Sequence, residues 1–509
     1  MGVVEAVNLA KIVEDKVDDD RIAVTDAEVS ISYRQLNRLA DELSQTILDV
    51  AGPKDRTVGI ALKNSCGFIV TYLAVQKAGL VAVPMGPGLT SSEIQREAEY
   101  SDLSVLIVAT DAAAGYAELL YGLSFGVDVL GLELTGSLKL GLRRIRSNAR
   151  ERRTPSLDLH RANSGNDVAV MLHTSGSVSK PKRVMLTHLN LIENARSVIT
   201  SLGLTARDCT AVALPLYFGY AHTAQMIAHL IVGARIVILP NPFTPMMLMK
   251  YVRRFEVTNF TAVPSTMAIM ARSHASFYAD AHSLRFICYG GAVTAARDLD
   301  ELKSRLPQVD FMQTYGQTEA SPRLTLSSSR DPHALSNPTS VGLPISGVRI
   351  DVLADNGQPC VPFEIGEVVA SGRNIMKGYY RRPEETAKVL RGGVLLTGDL
   401  GYKDEQGYLY LLGRLSNVII SGGINLYPEE IEEALDQHPG VALARVSSQP
   451  HEILGAVPVA EVMLDPGTSI DTAQLFSHCR RVLSRNKVPT EIKVVANIER
   501  TFNGKTKRQ

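Results

Sequence analysis

A nine-residue loop, Thr174–Lys182, combines the residue types that bind a polyphosphate. It reads Thr-Ser-Gly-Ser-Val-Ser-Lys-Pro-Lys and follows the apolar run Val168–Leu172. The backbone N–H groups of a glycine-bearing turn form an anion-binding concavity, and hydroxyl and ammonium groups add further donors. The same composition is common in solvated surface loops, so these residues alone leave both interpretations open.

Six further segments that could do chemistry follow this loop along the chain. They are Tyr289–Ala292, Thr314–Glu319, Thr397–Leu400, Gly413–Arg414, Ser421–Glu432 and Asn503–Arg508. With the upstream piece Ala74–Pro84, the series resembles the adenylate-forming superfamily of acyl- and aryl-CoA synthetases, peptide-synthetase adenylation domains and luciferases. The resemblance covers essentially the whole chain, and the order of the motifs is more specific than any one of them.

The resemblance implies that ATP and Mg²⁺ bind here and that a carboxylate attacks the α-phosphate. These two anions repel each other, so the site must neutralise charge. The residues implied for the β- and γ-phosphates are Thr174, Ser175, Gly176, Ser177 and Lys182. Thr318 is implied to contact the α-phosphate, and Glu319 to ligate Mg²⁺, a hard cation that prefers oxygen ligands.

The nucleoside is implied to lie between the later segments. Tyr315 is expected to stack on adenine, which is flanked by backbone; the residues of this part are Gly290, Gly291, Ala292, Thr314 and Gly316. Asp399 can accept hydrogen bonds from both ribose hydroxyls, as an ionised carboxylate does. Arg414 is expected to add a ribose or phosphate contact.

Lys505 is implied to be the main catalytic residue, with Thr318 and Glu319. A mobile point charge can bridge the attacking carboxylate and the α-phosphate as negative charge builds. The sequence Gly504-Lys505-Thr506 also mimics the end of a Walker A loop. That loop needs a glycine five residues before its Gly-Lys, where this chain has Glu499, so the P-loop interpretation fails.

The resemblance further implies a C-terminal domain that rotates between two half-reactions. One pose inserts Lys505, and the other presents the Gly422–Gly423 face to a thiol. Ser416 occupies the hinge position, where Asp or Lys is usual, and a small residue still absorbs dihedral change.

The phosphate loop departs from the family pattern at Ser179 and Arg183, where glycines are usual. We expect Arg183 to add positive charge to the loop and the missing glycine to stiffen it. ATP binding should be retained.

The acyl pocket is expected around the segment Leu216–Gln225, with Phe218, Gly219, Tyr220 and His222 as its lining. No Asp lies between Leu214 and Met226, and a buried α-ammonium without a partner is costly. An aryl or short acyl acid is therefore favoured. A stand-alone amino-acid adenylating enzyme is the alternative; a fatty-acid ligase, a luciferase or a non-catalytic binding protein is less favoured.

The acceptor is expected to be CoA or the phosphopantetheine arm of a separate acyl or peptidyl carrier protein, and the residues do not distinguish them. The chain has 53 basic and 53 acidic residues, which gives no indication of a nucleic-acid partner. Its most apolar segment, Met226–Leu239, contains His229 and Arg235 and is too short to span a membrane. These features predict a cytoplasmic protein.

The elements that must position these residues read as alternating strands and helices. Short apolar runs such as Thr57–Leu62 and Phe286–Tyr289 indicate strands covered on both faces, and Ser32 with Gln35 indicates a helix start. The pattern predicts an α/β fold: a large domain of α/β subdomains plus an antiparallel β subdomain from about Val348, over residues 1–414. Residues 415–509 are expected to form a small, mobile α+β domain with a helix from Pro428.

Overall fold

The computed structural model describes residues 8–51, 56–120, 127–135, 139–146, 164–174, 182–422 and 424–499. Within these ranges the chain forms three β-sheets with helices packed on their faces. This arrangement confirms the predicted α/β class, because each apolar sheet face is buried by helices or by another sheet.

The first sheet contains eight of the described strands and is mainly parallel. In spatial order they are Gly378–Tyr379, Arg183–Thr187, Val168–His173, Val81–Pro84, Thr57–Ala61, Val105–Ala109, Asp128–Leu134 and Leu140–Arg146. The five strands from Val168–His173 to Asp128–Leu134 are parallel. They are almost wholly buried, as strands covered on both faces are.

The central sheet contains fourteen of the described strands. Thirteen of them are neighbours in the order Val348–Leu353, Gly366–Gly372, Val394–Lys403, Leu409–Arg414, Ser340–Pro344, Arg323–Ser328, Asp310–Gly316, Phe286–Gly290, Asn259–Ala262, Cys209–Val212, Arg235–Ile238, Ile22–Thr25 and Ser30–Ser32. The fourteenth strand, Leu390–Arg391, pairs with Val394–Lys403. The six strands from Asp310–Gly316 to Ile22–Thr25 are parallel, and the other pairings are antiparallel. The antiparallel region predicted from Val348 thus exists and is hydrogen-bonded to the parallel part.

The C-terminal sheet contains five of the described strands. They are Ile424–Leu426, Ile419–Ser421, Gly455–Leu464 and Val441–His451, with Glu491–Val494 pairing in parallel with Gly455–Leu464. The sheet has its own hydrophobic cluster, formed by residues such as Ile419, Leu435 and Val462. It follows directly on Arg414, where the last strand of the central sheet ends.

Helices connect and cover these strands. The α-helices of the described residues are Lys11–Glu14, Tyr33–Val50, Cys66–Lys77, Ser91–Tyr100, Ala113–Leu120, His188–Leu202, Gly219–Ala221, Ala228–Val232, Pro245–Phe255, Pro264–Ala271, Ala296–Arg305, Pro332–Ser336, Pro383–Val389, Pro428–Asp436 and Thr472–Val482. A π-helical turn, His222–Ile227, joins two of them, and 3₁₀ turns lie at Ala275–Tyr278, Thr318–Ala320, Leu415–Asn417 and Arg485–Lys487. The predicted capping box of Ser32 and Gln35 and the predicted helix start at Pro428 are both confirmed.

The first and central sheets share one hydrophobic cluster. It contains Ile60 and Val170 from the first sheet, Ile236 and Leu324 from the central sheet, and the helices between them. Because this cluster holds the two sheets together, loops that leave them can meet at one site. An ideal Cβ built on Gly219 would lie 3.6 Å from Leu172 Cδ1 of the first sheet and 3.9 Å from Thr318 Cγ2 beside the central sheet.

Candidate active site

A backbone hydrogen bond holds together the two described ends of the phosphate loop. The Thr174 N–H donates to the Lys182 carbonyl oxygen at 3.1 Å. The Lys182 ammonium lies 3.1 Å from Glu385 Oε2 and 4.6 Å from the centre of the Tyr379 ring. The loop residues Ser175, Gly176, Ser177 and Ser179 lie outside the described residues, so their phosphate contacts stay predictions.

Tyr379 connects Lys182 to the predicted magnesium ligand, Glu319. The Tyr379 hydroxyl donates to Glu319 Oε1 at 2.8 Å. Burial and the Glu319 carboxylate together hold the pKa of Tyr379 well above its usual value, so the phenol remains a donor. The Met376 N–H donates to the Glu319 carbonyl oxygen at 2.9 Å and fixes the 3₁₀ turn that contains Thr318 and Glu319. The structure therefore brings a lysine, a carboxylate and a phenol to the same place.

Asp399 and Arg414 face each other across two antiparallel strands and form an ion pair. They are paired in register, and Arg414 Nε lies 2.8 Å from Asp399 Oδ1. The Tyr315 hydroxyl donates to Asp399 Oδ2 at 2.6 Å. Burial, with the Asp399 carboxylate beside it, holds the pKa of Tyr315 well above its usual value. These contacts orient the Asp399 carboxylate, and its hydrogen bonds from ribose hydroxyls stay a prediction.

Glycines stand at the predicted adenine side where a side chain does not fit. A Cβ on Gly290 would lie 2.2 Å from the Thr314 carbonyl oxygen, and one on Gly316 would lie 1.9 Å from another backbone oxygen. Gly291, at φ +89°, adopts the left-handed conformation that glycine tolerates, and Ala292 follows it in the same bend. The glycines are therefore required by the close approach of these backbone segments to one another, and their contact with adenine stays a prediction.

The predicted acyl pocket meets the nucleotide residues at Tyr220. The Tyr220 hydroxyl lies 2.7 Å from Thr314 Oγ1, and the Thr314 hydroxyl donates to the Tyr289 carbonyl oxygen at 3.1 Å. Gly219 precedes Tyr220, and a Cβ there would come within 3.9 Å of Thr318. The two predicted parts of the site are thus contiguous.

Two other predicted pocket residues, His222 and Phe218, pack against neighbouring aromatic rings. The His222 ring is fully buried and packs edge-on against Tyr72, with 4.6 Å between ring centres. Burial lowers the pKa of His222 to about 3, so the ring is neutral. Phe218 packs on the Tyr217 ring, 4.7 Å away. Their contact with an acid stays a prediction.

The expectation that Arg183 adds charge to the phosphate loop is wrong. Arg183 is fully buried, and its guanidinium forms an ion pair with Glu97 of the helix Ser91–Tyr100. It also donates to the carbonyl oxygens of Pro84 and Met171, at 3.1 and 3.2 Å. His173 lies 3.1 Å from the other Glu97 oxygen. The arginine therefore anchors the end of the loop to the first sheet, because four of its hydrogen bonds point into the protein.

The C-terminal sheet bears the remaining predicted residues. Gly422, at φ +57°, is exposed in the turn of a hairpin, and Ser416 lies in the 3₁₀ turn Leu415–Asn417. Gly423 and Lys505 lie outside the described residues.

A cleft of about 550 Å³ separates the C-terminal sheet from the rest of the protein. Val293 lines it on one side and Glu499 on the other. Arg297 bridges the two sides through an ion pair with Asp465 at 3.0 Å. Val293 directly follows the Gly290–Ala292 bend in the sequence, so the cleft that Glu499 lines begins next to that bend.

Sequence reasoning missed Glu97, Tyr379 and Glu385. Each reaches the site from a segment that has no motif of its own and lies far along the chain from its partner. The cluster of aromatic and charged residues at Tyr379–Glu385 was the one local signal, and it does not show which groups meet.

The described residues contain no group of three His, Cys, Asp or Glu side chains that could hold a metal unaided. Mg²⁺ usually takes one or two carboxylates and completes its shell with phosphate oxygens and water, so Glu319 beside the phosphate loop is a fitting donor. Within the described residues, no helix is long and apolar enough to cross a membrane. The cytoplasmic location stays a prediction.

The chain is similar to known proteins over nearly their full length. The chain is 31% identical to a 2-succinylbenzoate–CoA ligase of Geobacillus kaustophilus over 497 residues. The matched region covers 96% of this chain and 94% of the relative. It is 32% identical over 487 residues to a feruloyl-CoA synthase of Amycolatopsis, covering 95% and 94%. A solved o-succinylbenzoate CoA synthetase of Bacillus subtilis, in complex with ATP and magnesium ion, superposes with a TM-score of 0.82 at 26% identity and covers 99% and 98%.

The fold and the site define an adenylate-forming enzyme. The AMP-binding enzyme family model matches residues 13–380, and the model of the AMP-binding enzyme C-terminal domain matches residues 430–505. The chain belongs to the AMP-binding enzyme family.

Proposed function

We propose that this protein activates an aryl or short acyl acid with ATP and transfers the acyl group to the thiol of CoA. It is an acid–thiol ligase of the AMP-forming type. The observation that carries the proposal is the chain of contacts from Lys182 through Tyr379 to Glu319, beside the oriented Asp399. The residues that we assign to the phosphates and to the ribose lie near Tyr220 and Thr314, which we assign to the acyl side.

The reaction needs two bond exchanges. An oxygen of the acid forms a bond to the α-phosphorus, and the bond from that phosphorus to pyrophosphate breaks. The thiol sulfur then attacks the acyl carbon, AMP leaves, and the thiol proton goes to solvent. Lys182 and Lys505 are suited to the first step, because cationic donors stabilise charge that develops on the phosphate oxygens.

ATP and Mg²⁺ are the cofactors, and Glu319 would hold the cation. When bound, Mg²⁺ neutralises part of the phosphate charge. The chain's own contribution is to hold the Glu319 carboxylate in place through the Tyr379 hydroxyl and the Met376 N–H. Thr318, next to it, is the proposed α-phosphate contact.

The two half-reactions require the C-terminal part to move, and we place the division at residues 1–414 and 415–509. Lys505 lies six positions after Glu499, which extended chain spans with about 20 Å, and we propose that this segment carries the lysine from the cleft into the site. For the thiol step, the exposed hairpin at Gly422 would turn inward about Ser416. Its neighbours Ile420 and Ile453 are apolar and 60% and 86% exposed, which suits a face that is covered in another pose.

The acid class follows from the acyl side of the site. The relatives named above act on 2-succinylbenzoate and ferulate, which are aromatic acids. Tyr220 and Thr314 are uncharged at neutral pH, and no Asp lies between Leu214 and Met226 to hold an α-ammonium. An aryl or short acyl acid is therefore favoured over an amino acid.

The test is acid-dependent exchange of labelled pyrophosphate into ATP across aryl, short-chain, fatty and amino acids. We expect exchange with aryl or short acids, and product formation when CoA is added. A response confined to amino acids would overturn the proposed substrate class. Formation of a thioester on carrier proteins but not on CoA would make a carrier the acceptor.

Lys505→Ala tests the catalytic assignment. The variant should lose pyrophosphate exchange and still convert a supplied acyl-adenylate and CoA to thioester, because the lysine acts in the first step alone. Lys493→Ala is the control, since Lys493 is exposed and pairs with Glu491 at 3.1 Å on the C-terminal sheet. Full exchange in the Lys505 variant would contradict the assignment.

A further inference from the structure

The acyl side of the site contains a buried positive charge. Arg323 begins a strand of the central sheet, one strand away from Thr314 and Tyr315, and is 2% exposed. Its backbone is clamped by Asn194, whose side chain accepts from the Arg323 N–H at 3.3 Å and donates to the Arg323 carbonyl oxygen at 2.8 Å. The position of the side chain is therefore determined by the fold.

The Arg323 guanidinium interacts with two neutral groups, the Tyr220 hydroxyl and the Cys288 thiol. Its Nε and Nη1 atoms are buried and have no hydrogen-bond partner in the part of the chain that the structure describes. Among those residues, no carboxylate forms an ion pair with it, whereas the equally buried Arg183 has Glu97. A buried charge is normally paired, because the loss of its hydration is otherwise uncompensated.

The groups around Arg323 are neutral. The centre of its guanidinium lies 5.9 Å from the centre of the Tyr220 ring. Burial raises the pKa of the Tyr220 hydroxyl and of the nearby Cys288 thiol, so neither becomes an anion at neutral pH. Tyr220 in turn touches Thr314, so Arg323 lies next to Tyr220 on the acyl side of the site rather than among the phosphate groups.

We propose that Arg323 is a specificity-determining residue that binds a second carboxylate of the acid substrate, so that the preferred substrates are dicarboxylic acids. This proposal rests on the proposed acid activation. One carboxylate reacts at the α-phosphate, and the other pairs with the planar guanidinium and accepts a hydrogen bond from Nε or from Nη1, the donors that have no partner among the described residues. An acid without the second charge leaves the guanidinium unpaired, and sites with unpaired buried polar groups reject such analogues strongly.

The first experiment needs no variant. Pyrophosphate exchange is measured with matched sets in which the distal group changes at nearly constant size: a dicarboxylic acid, its half-amide and its half methyl ester, in short aliphatic and in aromatic series. The proposal predicts a kcat/KM at least about 100-fold higher for the diacid in the series that fits the pocket. Equal values for a diacid and its half-amide would overturn it.

The second experiment uses Arg323→Met, which keeps the length of the side chain and removes the charge, with Arg323→Lys to retain a charge. The diacid preference should collapse in Arg323→Met and be partly retained in Arg323→Lys. Arg253→Met is the control. Arg253 is exposed, lies away from the site and forms an ion pair with Asp280, with 3.0 Å between Arg253 Nη1 and Asp280 Oδ2. An unchanged preference in Arg323→Met would overturn the proposal.

Thermal unfolding distinguishes this role from a structural one. Without substrate, Arg323→Met should melt at the same or a higher temperature than the natural protein, because removing an unpaired buried charge relieves a cost. With ATP and the diacid, the natural protein should gain stability and the variant should gain much less. A large loss of melting temperature without ligand would assign Arg323 a structural role and refute the proposal.

Failure of this proposal can be told from failure of the proposed function. Exchange that responds to monocarboxylic and dicarboxylic acids alike refutes the role of Arg323 and leaves acid activation standing. Absence of exchange with every acid refutes acid activation itself.

Discussion

The ion pair between Glu97 and Arg183 allows a quantitative prediction. Substitution Glu97→Gln keeps the shape of the side chain and removes the negative charge opposite a fully buried guanidinium. Breaking a buried pair in this way typically costs about 3–5 kcal/mol, because the other charge stays buried without compensation. Glu97→Gln should therefore be strongly destabilising.

The titration of Glu97 gives a second route to the same magnitude. Burial alone would raise the pKa of this carboxyl, but Arg183 and His173 outweigh burial and lower it from 4.5 to about 2. That difference corresponds to about 3 kcal/mol of stabilisation at neutral pH. Burial lowers the pKa of Arg183 against the pull of Glu97, yet an arginine remains charged throughout this range, so the carboxyl governs the pH dependence.

Urea unfolding at several pH values tests this reasoning. The folded-state pKa of Glu97 lies below the unfolded one, so its contribution is complete above about pH 4.5 and is lost as pH falls toward 2. The free energy of unfolding of the natural protein should exceed that of Glu97→Gln by about 3 kcal/mol at pH 7, and this difference should decrease as the pH falls below 4.5. Glu42→Gln, in an exposed pair with Arg38 at 2.6 Å, should cost no more than about 0.5 kcal/mol. A loss below about 1 kcal/mol at pH 7, or a gap independent of pH, refutes the argument.

Two further predictions concern nucleotide binding and acid stability. Asp399→Asn should raise the KM for ATP by about 10- to 100-fold, because it removes a charged acceptor that Tyr315 orients. Tyr315→Phe should raise this KM less. An unchanged KM for ATP in pyrophosphate exchange with Asp399→Asn would contradict the ribose assignment. Burial lowers the pKa of His188, His222 and His229 to about 4, 3 and 4, so protons bind them preferentially in the unfolded chain below about pH 6.5. The contribution of these three neutral histidines to the free energy of unfolding is present above pH 6.5, and the free energy of unfolding should fall by about 4 kcal/mol between pH 7.5 and pH 5.5. A free energy of unfolding that does not change over this range would contradict the prediction.

Local features of the fold could be predicted from the sequence because they depend on neighbouring residues. The run Phe286–Tyr289 forms the strand Phe286–Gly290, one residue longer than predicted, and the helix after Ser32 begins at its capping box. The continuity of the antiparallel and parallel strands in the central sheet could not be predicted, since it depends on pairing between the distant strands Ser340–Pro344 and Leu409–Arg414.

The candidate site shows the same limit. Motif order identified Lys182, Glu319 and Asp399, and the structure places each beside a partner. It did not identify Tyr379, which joins two of them from about sixty residues further along the chain than Glu319. It also misjudged Arg183, because composition indicates that a charge is present and does not show that Glu97 neutralises it inside the protein.

The distribution of charge across the site explains where its selectivity should lie. On the nucleotide side, the described cations already have anionic partners: Lys182 lies beside Glu385, and Arg414 beside Asp399. These cations can exchange a protein carboxylate for a phosphate of ATP, so ATP can bind whichever acid is present. On the acyl side, Arg323 is buried without such a partner, so its hydration is replaced only when a substrate supplies the anion. The energetic difference between one acid and another is therefore concentrated at Arg323, while the nucleotide side contributes equally to all of them.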